Sequence, residues 1–518
     1  MTRKSFISGA LILMAAGFIV RLLGFVYRIY LSNLIGAEGM GLFQLIVPIY
    51  STIILTLTSG ISIAVSKMAA AELARNHEIN LRRITSCALV VAAFFGAAAS
   101  VLILIFIGPI VNVILKDGRT FYSLLLLVPC IPVISAASAI KGYFYGIQDV
   151  TPTAISQIIE QIVRIGLVMV MAGYFLNLGL EYACALATIG MAFGEISNLA
   201  VVFMFYKIGK NKKQQHISKT GMMTKRRIIG EILKISLPVS GNRFITSVMM
   251  AVELLLIPRR FLAGGLDYHL SMGEYGKLIG MAMPLIFFPS LVTSSLSTTI
   301  VPALSEAISL KNFRTANYRI SKAFQLTFIL GFTFTAIFIC YPNEIGDMVY
   351  SGQKIGGILY LLSFTCVFIY IQQMLLGVLN GLGKQGVSLR NYIIGSTIRI
   401  GFVYFFIPPY GVKGYVWGII ISSALICILN FQTVVKTTGI TIDIRNWIVK
   451  PGLVCLVMVF IGKYIYSFFE IFGIGSSWTI IFTVSGNAAI SFSLMVIAGV
   501  LDRKELIKFF PLKNHKRA

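Results

Sequence analysis

The stretch GYFYGIQDVTPTAISQIIEQIVRIGLV, residues 142–168, decides the fold, because its pattern returns 235 positions later as GVLNGLGKQGVSLRNYIIGSTIRIGFV, residues 377–403. Gly142, Gly146, Ile158, Ile159, Arg164, Ile165, Gly166 and Val168 recur as Gly377, Gly381, Ile393, Ile394, Arg399, Ile400, Gly401 and Val403, eight identities in 27 positions. Two weaker echoes support them. Glu38 and Pro48 return as Glu274 and Pro284 at an offset of 236, and Ser8, Gly9 and Arg28 as Ser240, Gly241 and Arg260 at 232. Self-similarity at one spacing marks a duplicated unit.

The medium of that unit follows from composition. Of 518 residues, 57% are apolar and only 12% charged, about half the charge of a soluble chain. A spanning helix needs about 20 apolar residues, so the chain reads as an integral membrane protein with about 14 spans. Soluble enzymes, disulfide scaffolds and disordered chains are excluded. Apolar runs fall near 6–34, 41–66, 84–115, 121–147, 154–176 and 182–206, then near 232–257, 273–303, 323–342, 355–382, 388–408 and 412–435. Two more, near 447–468 and 477–500, lie outside the repeat. The expected fold is all-α and polytopic: two parallel six-helix repeats plus two C-terminal helices. Its parts are an N-terminal six-helix lobe over 1–206, a basic cytoplasmic linker over 207–231, a C-terminal six-helix lobe over 232–435, and two extra helices with a basic tail over 436–518. Because each repeat holds an even number of spans, both enter the membrane with the same orientation. In secondary transporters built this way the substrate site lies between the halves.

The net charge of +25 suggests nucleic acid in a soluble protein, but here it follows from the enrichment of Lys and Arg in cytoplasmic segments. With the N-terminus inside, those segments hold 29 Lys and Arg against six on the other side, and nine lie in spans. Both termini are therefore expected in the cytoplasm of a bacterial plasma membrane. Arg3 and Lys4 open an uncleaved first span rather than a signal peptide, since the apolar run continues past Arg21 and Arg28. The basic segments suit anionic lipid headgroups. Seven cysteines sit in apolar runs with no CxxC spacing, and four histidines lie far apart, so no metal site and no cofactor is expected. No GxxxxGK[ST] loop occurs, which argues against a nucleotide-driven pump.

Charges inside spans are costly, about 2.5–3.5 kcal/mol on insertion scales, and are functional candidates. Arg21 and Arg28 stand two turns apart on one face of the first span. Arg243 and Glu253 lie on span seven, and at the 232 offset Glu253 takes the place of Arg21. These four are the expected substrate-binding residues of a hydrated central cavity; an Arg21–Glu253 ion pair that only fixes packing is the alternative. Glu160 and Arg164, four apart on span five, pair along the helix. Arg399 repeats Arg164 but meets Gly395 where Glu160 would stand. With Glu195 in span six, they are the expected gating or structural charges. Pro48, Pro129, Pro132, Pro238, Pro284 and Pro289 loosen their helices.

The run Arg21-Leu-Leu-Gly-Phe-Val-Tyr-Arg28 followed by Ile35-Gly-Ala-Glu-Gly-Met-Gly41, with Ile159-Glu-Gln-Ile-Val-Arg-Ile165, Gly241-Asn-Arg-Phe-Ile245 and Ser295-Leu-Ser-Thr-Thr-Ile-Val-Pro-Ala303, resembles the stage V sporulation protein B family. These are polysaccharide-exporter-type flippases of the multidrug/oligosaccharidyl-lipid/polysaccharide (MOP) superfamily. The resemblance implies translocation of a polyprenyl-pyrophosphate-linked, peptidoglycan-type saccharide across the cytoplasmic membrane for the spore cortex, without covalent catalysis. It also implies cell-wall synthesis enzymes as partners. Arg21 matches the first cavity arginine of the related lipid II flippases, whereas Arg28 stands one position beyond their second, about 100° around a helix. Two other readings remain open: a cation-coupled multidrug exporter, which would want cavity carboxylates where this chain has arginine, and a non-transporting scaffold for cortex-synthesis enzymes.

Overall fold

The computed structural model describes residues 6–75, 77–212, 222–471 and 476–500. The core of the basic linker, residues 213–221, and the tail from 501 lie outside the described residues, as do Arg3 and Lys4. Every regular element described is helical. Packing divides the chain into two compact units, Met1–Gly280 and Met281–Ala518.

The first unit holds α1 (Phe6–Ala74), α2 (Glu78–Pro109), α3 (Phe121–Leu127), α4 (Cys130–Gly146), α5 (Thr151–Leu176), α6 (Leu180–Lys212), α7 (Lys225–Ala263) and α8 (Tyr268–Tyr275). The second holds α9 (Met283–Phe287), α10 (Ser290–Ser309), α11 (Phe313–Cys340), α12 (Pro342–Val349), α13 (Gly356–Ser363), α14 (Cys366–Gly381), α15 (Gln385–Tyr410), α16 (Val412–Thr438), α17 (Lys450–Glu470) and α18 (Ser476–Ile497). Ten helices among the described residues are long and apolar enough to cross a membrane, or up to twelve when each of two bent pairs forms one span. That criterion does not separate all fourteen expected spans. One reason is α1, whose 63-residue apolar stretch rises about 95 Å, three times the hydrocarbon thickness. It breaks at Gly36, where φ is 68° and ψ −174°, a conformation that glycine adopts without strain. The other is α7, which carries Arg243 and Glu253 and is not among the ten.

The repeat is visible as packing. A Cβ added to Gly142 would stand 2.7 Å from the Ser62 carbonyl oxygen, and one added to Gly377 would stand 2.4 Å from that of Ser297. One turn on, Gly146 faces Ser66 and Ala69, and Gly381 faces Val301 and Leu304. Each pair of partners is separated by the same 235 positions as the glycines themselves. Small residues let backbones meet where no water drives helices together. The bends repeat as well: α3 meets α4 at 41° and α13 meets α14 at 54°. Pro129 sits at the first break. At the second, Thr365 donates its hydroxyl to the Leu362 carbonyl at 2.6 Å, a back-bond that also bends helices.

Each unit closes over its own core. In the first, Ile61, Ala64, Val65, Ile84, Ala88, Ile228 and Ile232 bring α1, α2 and α7 together. In the second, Leu304, Ile320, Phe324, Met374 and Leu375 pack with Trp447, whose ring stacks on Phe324 at 5.3 Å. The two helices beyond the repeat join this unit: Met458 and Met495 pack on Ile329 and Ala336 of α11, and Tyr341 donates to the Gly462 carbonyl at 2.7 Å.

Gly142→Leu and Gly377→Leu force a side chain into a neighbouring backbone and are expected to cost about 1–3 kcal/mol each. Gly166→Ala, which meets nothing within 4 Å, is expected to be neutral or stabilising. Melting temperatures of the purified variants check both.

Candidate functional site

Glu160 and Arg164 lie one turn apart on α5, against two glycines one turn apart on α6. A Cβ at Gly194 would sit 3.1 Å from the Glu160 carbonyl oxygen and 3.3 Å from its Cγ, and one at Gly190 would sit 3.3 Å from the Arg164 carbonyl oxygen. The glycines form the trough in which the two charged side chains lie.

Both oxygens of Glu160 are engaged. Arg164 Nη2 donates to Oε1 at 2.6 Å, and Asn198 Nδ2 on α6 donates to Oε2 at 2.5 Å. Asn198 is fully buried and Glu160 is 8% exposed. Arg164 also lies within electrostatic range of the Tyr27 and Tyr50 hydroxyls on α1, and Arg28 within range of Tyr27. Glu195 on α6 faces Glu160, Arg164 and Lys141 of α4. Four helices thus place three cations, two carboxylates, two tyrosines and an asparagine together inside the first unit.

Several of these atoms have protein neighbours but no bond. The Tyr27 and Tyr50 hydroxyls, Arg164 Nε and Asn198 Oδ1 are buried without a hydrogen-bond partner among the described residues. Such an atom costs about 1–3 kcal/mol unless water or a bound polar group meets it.

The expected site residues separate into groups. Arg28, Glu160, Arg164 and Glu195 share this cluster, although the sequence reading placed Arg28 apart from the other three. Arg21 stands exposed two turns before Arg28 on α1. On α7, Arg243 is exposed while Glu253 is 4% exposed and faces the Tyr275 hydroxyl of α8. In the second unit Arg399 lies on α15, its carbonyl 3.8 Å from the position of a Cβ on Gly418. There the helices answering to α5 and α6 are joined by a neutral pair, Asn391 Nδ2 donating to Asn430 Oδ1 at 2.9 Å. Tyr27, Tyr50, Lys141 and Asn198 are the functional candidates that sequence reasoning left out of the site. Lys141 carried a signal as a charge beside the repeat glycine Gly142, at a span end where it would reach water, and Asn198 stands one turn after Gly194 and three residues after Glu195. All seven cysteines are free, and no group of three metal-ligating side chains occurs among the described residues.

Glu160→Gln leaves the Arg164 charge uncompensated in a mostly buried setting and is expected to destabilise by about 3–5 kcal/mol. Glu160→Gln combined with Arg164→Gln removes both charges and is expected to recover part of that loss, read as melting temperature in a double-mutant cycle.

Known proteins share this architecture. The chain is 29% identical to stage V sporulation protein B of Bacillus subtilis, over 98% of each. It is 22% identical to the lipid II flippase MurJ of the same organism, over 76% of this chain and 75% of that one. The fold matches the inward-facing conformation of a multidrug resistance MATE family transporter of the MOP superfamily, with a TM-score of 0.64 at 16% identity, covering 82% of this chain and 100% of that one. These matches and the helices identify a multi-pass membrane protein with a MOP transporter fold. The family model described as polysaccharide biosynthesis protein matches residues 6–308, and the chain belongs to that family.

Proposed function

We propose that this protein is a flippase that carries a polyprenyl-pyrophosphate-linked, peptidoglycan-type saccharide across the cytoplasmic membrane to supply the spore cortex. The observation that carries the reading is the convergence of Arg28, Arg164 and Lys141 with two bondless tyrosine hydroxyls inside a membrane-embedded unit. Arginine forks match phosphate oxygens in bidentate geometry, and the tyrosines and Asn198 offer further polar partners. Arg21, Arg243 and Glu253 would complete the binding surface, while the polyprenyl tail stays in lipid. The work is binding and release, so no bond is made or broken.

The remaining charges have a mechanical part in this reading. Glu160 holds Arg164 along α5 with one oxygen and Asn198 of α6 with the other, and Glu195 with Arg399 supplies gating or structural charges. Excess Lys and Arg on one side put both termini in the cytoplasm, where the basic linker and tail would rest on anionic lipid and meet cell-wall synthesis enzymes. The sporulation branch is supported by the relative matched along its full length.

Native mass spectrometry of the purified protein, as parent and as the Arg21→Ala, Arg28→Ala double variant, tests the proposal. The expected result is a lipid-linked saccharide bound to the parent and lost from the folded variant. Its absence from a folded parent prepared from membranes rich in that lipid, or its equal retention by the variant, would overturn the reading. A bound organic cation in its place would favour the multidrug exporter.

A further inference from the structure

Three segments converge at the end of the first unit where α1 breaks. Glu38 stands two residues past Gly36, Asp117 and Arg119 flank Gly118 after α2, and Tyr268 and His269 open α8. Arg119 donates from Nη1 to Glu38 Oε1 at 2.7 Å, from Nε to Asp117 Oδ1 at 3.1 Å and from Nη2 to Asp117 Oδ2 at 3.0 Å. Its guanidinium lies over the Tyr268 ring, 5.5 Å from the centroid. The Tyr268 hydroxyl donates to Asp117 Oδ2, and His269 Nδ1 is 2.8 Å from Glu38 Oε1. One guanidinium thus ties two carboxylates from different segments, and α8 reaches each carboxylate with one side chain.

Beside this network the backbones of α1 and α8 touch. A Cβ on Gly41 would stand 2.3 Å from the Met272 carbonyl oxygen, and one on Gly276 would stand 1.8 Å from that of Ala37. Tyr275 donates to the Gln44 carbonyl at 3.1 Å. From α8 the chain runs directly through the π-helical turn Gly276–Ala282 into the second unit.

Glu38, Asp117, Arg119, Tyr268 and His269 all lie in connections between the expected apolar runs. Burial alone would raise the Asp117 carboxyl, but hydrogen bonds from Arg119 and Tyr268 outweigh it and hold it below the usual carboxylate range. Burial and the bond to Asp117 push the Tyr268 hydroxyl up, which keeps it a donor. Charged and polar groups nearby have bonds of their own: Asp267 caps Leu270 N, Glu274 pairs with Lys277 at 3.0 Å, Arg259 bonds the Val113 and Ile114 carbonyls, and Cys184 of α6 bonds the Gly39 carbonyl.

We propose that Glu38, Arg119, Asp117, Tyr268 and His269 form an ionic latch that holds α8 on α1 at this end of the first unit. The latch needs no cargo, so it stands or falls apart from the flippase reading.

Hydrogen exchange of the full chain in nanodiscs, without substrate, tests it in segments 36–44, 115–121 and 266–276. After correction for intrinsic rates, Arg119→Gln is expected to exchange about tenfold faster than the parent, and His269→Gln, which loses a single exposed contact to Glu38, by a smaller factor. Glu38→Gln breaks the same network should Arg119→Gln fail to fold, and Glu274→Gln is expected to behave as the parent. Parent-like protection in folded Arg119→Gln or Glu38→Gln would overturn the proposal.

Discussion

Backbone contact between helices at glycine is the constraint on which the rest depends. In hydrocarbon the apolar side chains gain little from meeting each other rather than lipid, so helices associate where small residues admit close approach and polar groups can bond across. Gly142 with Gly146 and Gly377 with Gly381 seat the bent helix of each repeat, and Gly190 with Gly194 seats α6 on α5. The charged cluster exists because that last contact is so close. Asn198 reaches Glu160 across an interface that a larger residue at Gly194 would hold apart.

The two repeats share a frame and differ in what it carries. Where the first unit crosses from α5 to α6 with a carboxylate, a guanidinium and an amide, the second crosses from α15 to α16 with two amides. The neutral pair lies one turn before Gly395, the position answering to Glu160, and Arg399 keeps the guanidinium without that carboxylate. The carboxylate of Glu160 with its amide partner is what the first unit has and the second lacks, and a charge kept inside a span is expensive.

Much of this was legible in the chain. Offset matching of glycines located the repeat, and the same offset reappears in their packing partners, Ser62 with Ser297 and Ser66 with Val301. The Glu160–Arg164 pair followed from helical spacing alone. What escaped was tertiary. Nothing local in Tyr27 or Tyr50 shows that both face an arginine 137 or 114 positions further along. Asp117, Arg119 and His269 read as ordinary polar connections, because their meaning lies in convergence with Glu38 across 79 to 231 positions. The grouping of α7 was also hidden, since periodicity assigns a helix to a repeat by sequence order and packing assigns it by neighbour. Ser240 bonds the Thr56 carbonyl at 2.6 Å, and Thr52 bonds that of Ser247, so α7 is fastened to α1.

That attachment bears on how the chain is made. Membrane proteins emerge from the ribosome N-terminus first, and domains generally fold as units during synthesis. Six helices of the first repeat are complete by Lys212, yet the compact unit closes only at Gly280. The seam between α1 and α7, with the Ser240 and Thr52 hydroxyls that cross it, therefore closes only after the chain has been made past α7, and a chain ending after α6 lacks one side of it.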